Sequence, residues 1–155
     1  MSRFAPSIVA LLFGTLLLAG CQREEPPPVT APVKKPTLQV MVPPEVTARW
    51  KAVKIVVHDK QTKSDQLFTV DIGAQFILVE SGMQVTVANF LPAFVTDGRI
   101  ATTAANDPKN PGVEIIVREG GRETFHGWLL RNAPDDHGFK HPRYTLTLQD
   151  VIPRR

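Results

Sequence analysis

The sequence predicts an all-β domain, a small antiparallel sandwich or barrel, set behind an export segment and a proline-rich stretch. Three observations carry this expectation. From Val46 onward, apolar residues alternate at period two in most patterned segments, as strands with one buried face require. Turn signals built from Gly, Asp, Asn and Pro separate those segments at short intervals. No window holds a sustained helical period.

The elements follow in order. Leu38, Val40 and Val42 alternate, so residues 38–42 read either as an edge strand or as the end of a linker. The domain is expected over residues 46–152, with 153–155 as a tail. Val53, Ile55 and Val57 share one face, with Lys54 and His58 opposite. Asp59-Lys60-Gln61-Thr62-Lys63 is a polar turn, followed by a strand at residues 67–72 that ends at Gly73. A short apolar run at residues 76–79 is broken by Ser81-Gly82. Met83, Val85 and Val87 then alternate with Gln84, Thr86 and Ala88. Asp97-Gly98 between two short apolar runs marks a two-residue hairpin. Val113, Ile115 and Val117 form a strand that Glu119-Gly120-Gly121-Arg122 turns back. The returning strand, residues 124–130, is apolar on both faces. Phe125, Gly127, Trp128, Leu129 and Leu130 fit a strand covered on both sides better than one held open for a partner. Tyr144, Leu146 and Leu148 supply the last alternating strand.

Two polar segments stand out as candidate contact regions. The loop at residues 103–112 holds Asn106, Lys109 and Asn110 beside stiffening prolines. A plain connection is the favoured reading, and a binding loop the alternative. Residues 134–142 hold Asp135, Asp136, His137 and His141. His137 and His141 have the four-residue spacing of helical zinc motifs, but Gly138 and Pro142 oppose a regular helix. A third ligand would have to be His126 or His58, so a structural loop is favoured and no metal or cofactor is expected. After residue 20 the only serines are Ser64 and Ser81, both in turn-like contexts, and no nucleophile motif surrounds them. No catalytic residue is therefore assigned.

A net charge of +3 is a small basic excess, so the composition does not point to nucleic acid. The single cysteine, Cys21, excludes an internal disulfide. It follows Met1-Ser2-Arg3 and an apolar run at residues 8–18 that is too short to span a bilayer. Leu18-Ala19-Gly20-Cys21 resembles the lipobox of bacterial lipoproteins. That resemblance implies removal of residues 1–20, acylation of Cys21 and residence in the bacterial cell envelope. Gln22, where Asp would retain the protein at the inner membrane, implies an outer-membrane anchor facing the periplasm. Pro26, Pro27, Pro28, Pro32, Pro36, Pro43 and Pro44 make residues 21–45 an expected extended spacer. At about 3.1 Å per residue it would hold a domain up to roughly 60 Å from the lipid.

Asp59-Lys60, Gly73, Phe125-His126-Gly127-Trp128-Leu129 and His141-Pro142-Arg143-Tyr144 occur in an order that resembles the bacterial envelope family called domain of unknown function 2155. The resemblance spans residues 50–148. Some members of that family carry paired cysteines, and many read Gly-Trp-Met-Phe where this chain has Leu129 and Leu130 after Trp128. The family implies an exported β domain and assigns no catalytic residue. The expected function is a membrane-tethered, non-catalytic binding or assembly module with an envelope protein partner. The alternatives are an envelope hydrolase or metal-dependent protein using residues 135–141, and a purely structural lipoprotein.

Overall fold

A computed structural model describes residues 38–135 and 138–155. Cys21, the expected spacer as far as residue 37, Asp136 and His137 lie outside the described residues. The first elements are β1 (Gln39–Val40) and α1 (Pro44–Arg49), so the spacer's last part, residues 38–45, carries β1 and the start of α1. Then come β2 (Trp50–Asp59), β3 (Ser64–Asp71), β4 (Gln75–Leu78), β5 (Met83–Leu91), β6 (Phe94–Thr96) and β7 (Ile100–Thr103). The last three are β8 (Gly112–Glu119), β9 (Arg122–Leu130) and β10 (Tyr144–Pro153). Among the described residues, no helix is long and apolar enough to cross a membrane.

The architecture is an all-β sandwich. One sheet has the order β10-β2-β3 and the other β4-β5-β8-β9, both antiparallel throughout. Their inner faces enclose one core. Val53, Ile55 and Val57 of β2 and Leu146 and Leu148 of β10 meet Val85 and Val87 of β5 and Val113, Ile115 and Val117 of β8. These are the residues whose period-two spacing marks them as inward-facing, because successive side chains of a strand point to opposite faces.

Bulges interrupt that alternation where the pattern breaks. Val87 pairs with Ile115 but Asn89 pairs with Glu114, so β5 carries an extra residue at Ala88. The shift brings Phe90 into the core after Val87 and turns Asn89 to the outer face. A second shift between Val117 and Arg118 leaves Thr124 of β9 extra.

A third, small sheet has the order β1-β7-β6. Residues 38–42 are therefore partly strand: the amides of Gln39 and Met41 donate to the carbonyls of Arg99 and Ala101 at 2.8 and 2.9 Å. β1 runs parallel to β7, a pairing that joins segments far apart in sequence. The helix α1 also precedes or overlaps the expected start at Val46. Its six residues are too few to display a helical period, and Pro44 at its first turn suits the fixed φ of proline.

β9 is covered on both faces at its C-terminal end, while Arg122, Glu123, Thr124 and His126 are exposed. Leu129 enters the main core. Trp128, 9% exposed, joins a second cluster with Leu91 and Ala101, and Phe94 lies against its ring at 4.8 Å. Gly127 accommodates an aromatic ring, but the ring is that of Phe125, not Trp128. A Cβ at Gly127 would lie 2.7 Å from the Phe125 Cζ, so the phenyl folds over the glycine two residues along the same face.

Candidate functional site

The strongest polar cluster forms where the β2–β3 turn meets the segment entering β10. Asp59 closes β2 and is buried. Its Oδ2 accepts hydrogen bonds from Arg143 Nε at 3.0 Å and Nη2 at 2.7 Å. Its Oδ1 accepts from the backbone amides of Gln61 and Thr62 at 2.9 and 3.4 Å. The Arg143 guanidinium, outweighing the opposing effect of burial, holds the Asp59 carboxyl well below the usual carboxylate range, and the two amides add to this. Arg143 also donates to Glu80 at 3.2 Å and lies over the Tyr144 ring. The backbone follows the same tie: the Lys60 amide donates to the Arg143 carbonyl, and the Lys60 ammonium to the His141 carbonyl, both at 2.8 Å.

His141 belongs to this cluster. Its Nδ1 accepts from the amides of Arg143 and Tyr144 at 3.1 and 3.0 Å. That leaves the ring proton on Nε2, which lies 3.0 Å from Glu119. The ring stacks between Phe139 and Tyr144. Asp135 is exposed, and Asp136 and His137 are not among the described residues.

The loop at residues 103–112 uses its polar groups internally. Asn106 Oδ1 accepts from Trp50 Nε1 at 2.9 Å, and its Nδ2 donates to the Glu45 carbonyl at 3.0 Å. Asn110 Nδ2 donates to the Phe94 carbonyl, and the Phe94 amide returns a bond to the Asn110 carbonyl. The Lys109 carbonyl accepts from Asn132, while the residue itself is exposed. Asp107 pairs with Arg49 at 3.0 Å. The loop thus pins α1 and the β6–β7 hairpin to the sandwich.

A second polar cluster lies on the outer face of the four-stranded sheet, where the β5 bulge sets Asn89 opposite Glu114. The nearly buried Glu114 takes Asn89 Nδ2 at 2.6 Å on one oxygen and His126 Nε2 at 2.8 Å on the other. His126 and His141 therefore face different carboxylates, and His58 faces a third, Asp65, at 2.7 Å. Among the described residues, no three His, Cys, Asp or Glu side chains converge as metal ligands.

Beside Asp59 an apolar cleft of about 120 Å³ opens between β3 and the turn after β4. Val57, Phe68, Leu78 and Val79 wall it, with Asp59, Glu80 and Tyr144 at its polar side. Sequence reasoning singled out neither this cleft nor the roles of Asp59, Glu80 and Arg143. The one available signal was the presence of Asp59-Lys60 and His141-Pro142-Arg143-Tyr144 among the residues carrying the family resemblance. No protein-family model, curated protein or solved structure matches this chain, so that resemblance rests on the quoted residues alone.

Proposed function

We propose that the chain is a membrane-tethered lipoprotein of the bacterial cell envelope whose β-sandwich acts as a non-catalytic binding or assembly module. The observation that carries this reading is the order of Leu18-Ala19-Gly20-Cys21, a proline-rich spacer, and then a folded unit with its own core. Several acyl chains at Cys21 would anchor the protein stably, since each buried methylene contributes about 0.8 kcal/mol. The spacer would hold the sandwich at a distance from the membrane and raise its effective concentration against a neighbouring envelope protein. An outer-membrane anchor facing the periplasm follows from Gln22, by resemblance to sorted lipoproteins. The static ties of Asp59, His141 and Glu114 support a structural rather than a reactive use of these groups.

The test combines mass and capture. Intact-mass analysis of the membrane fraction should find Cys21 as an acylated N-terminus, and Cys21→Ser should give an uncleaved or soluble product. In-cell cross-linking of the acylated protein should recover an envelope protein. An unmodified Cys21 in the membrane fraction would overturn the anchor. Acylated protein that cross-links to nothing would overturn the binding reading.

A further inference from the structure

We propose that the cleft beside Asp59 receives a lysine side chain from an extended partner peptide lying along the free edge of β3. This rests on the reading of the chain as a binding module, and it names the chemistry of what is bound.

β3 is the last strand of the sheet β10-β2-β3, so among the described residues one side of Ser64–Asp71 has no strand partner. Such an edge offers backbone amides and carbonyls to a second extended chain. Most of its residues are exposed. The adjoining cleft, at about 120 Å³, is far smaller than a typical small-molecule pocket of roughly 300–1,000 Å³. It has room for one side chain. Val57, Phe68 and Leu78 give it apolar walls, and Val79 stands 93% exposed beside it.

The polar side selects the end group. Asp59 and Glu80 line the cleft and both pair with the Arg143 guanidinium, so the lining carries two carboxylates and no cationic side chain. Neither nearby basic side chain lines it: the His58 ring bonds Asp65, and the Lys60 ammonium bonds the His141 carbonyl. Tyr144 lines the same cleft at 3% exposure, and its hydroxyl has no hydrogen-bond partner among the described residues. A buried hydroxyl without a partner is uncommon enough to require an explanation. A lysine fits this lining: its methylene stem covers the apolar walls, and its ammonium brings a positive charge and three donors to the side where the two carboxylates stand. A purely aliphatic side chain would bring no cation to the two carboxylates.

The experiment uses the full-length chain in detergent micelles and a labelled, extended threonine–valine peptide with one central lysine. A twin peptide carries norleucine in its place. Fluorescence anisotropy should show the lysine peptide binding about tenfold tighter, the scale of one charge-assisted hydrogen bond. Glu80→Gln should abolish the difference between the twins while keeping the denaturation midpoint. Hydrogen exchange should show new protection at residues 64–71 on adding the lysine peptide. Equal affinity of the twins, no binding of either, or protection confined to other strands would each overturn the proposal. So would free lysine binding as tightly as the peptide, since the β3 edge would then contribute nothing. Should Glu80→Gln fail to fold, the twin comparison on the natural chain decides alone. A failure of the peptide test leaves Cys21 acylation and envelope cross-linking to be judged separately.

Discussion

At the scale of single residues, the chain relies on a few side chains that join segments distant in sequence. Asp59 is the clearest. Among the described residues, three carboxylates sit below their ordinary values: Asp59 through Arg143, Asp97 through the amides of Ile100 and Arg99, and Asp150 through the Val151 amide and then Lys54. A carboxyl that is more acidic in the folded state stabilises fully above its unfolded value. That contribution is lost as pH falls through the folded value. The denaturation midpoint should therefore drop on acidification below about pH 4. Asp59→Asn should lower the midpoint at neutral pH and flatten its acid dependence, measured by denaturant titration across a pH series. An unchanged slope would show that the Asp59–Arg143 tie is not linked to folding. Trp128 is the second case. Its ring is nearly buried against Phe94, so Trp128→Ala should cost about 3–5 kcal/mol. An unaltered midpoint would mean that the second cluster adds nothing to stability.

At the scale of elements, the small sheet and the loop at residues 103–112 are attachments to the sandwich. β1 is held by the Gln39 and Met41 amides. Met41→Pro removes one of these donors and should cost about 1 kcal/mol, the usual net worth of such a bond. A midpoint identical to the natural chain's would make β1 dispensable. The loop is tied through Asn106 to both Trp50 and Glu45. Asn106→Ala leaves the buried indole N–H without its acceptor and should cost about 1–3 kcal/mol. Calorimetry checks this, and no change would show that water replaces the amide without penalty. If partner cross-linking also falls while the fold remains intact, Asn106 has a surface role in addition to the internal one.

At the scale of the whole molecule, the proposed function depends on distance from a membrane. Deleting residues 24–36 while keeping Cys21 should leave the sandwich folded and acylated but weaken in-cell cross-linking to partners. The shortened spacer samples a different height and volume. Undiminished cross-linking would reduce the spacer to a passive leash.

Much of the sandwich was legible in the sequence because its determinants are local. Alternation placed Val53, Ile55, Val57, Val113, Ile115, Val117, Leu146 and Leu148 in the core, and Gly120-Gly121 forms the two-residue hairpin its composition marks, whereas the hairpin at Asp97-Gly98 takes in Arg99 as a third residue. The tertiary structure alone decided which strands lie beside one another. Period two gives each strand a buried face but no neighbour, so the parallel pairing of β1 with β7 and the return of β10 to β2 have no local signal. The same limit hid the bulge at Ala88, which exists only relative to the register of β8. It also hid most of the candidate site. Asp59 and Arg143 stand 84 residues apart, and their pairing depends on β10 lying antiparallel to β2. The cleft between β3 and β4 likewise exists only because the two sheets end there side by side, which is a property of packing and of no single segment.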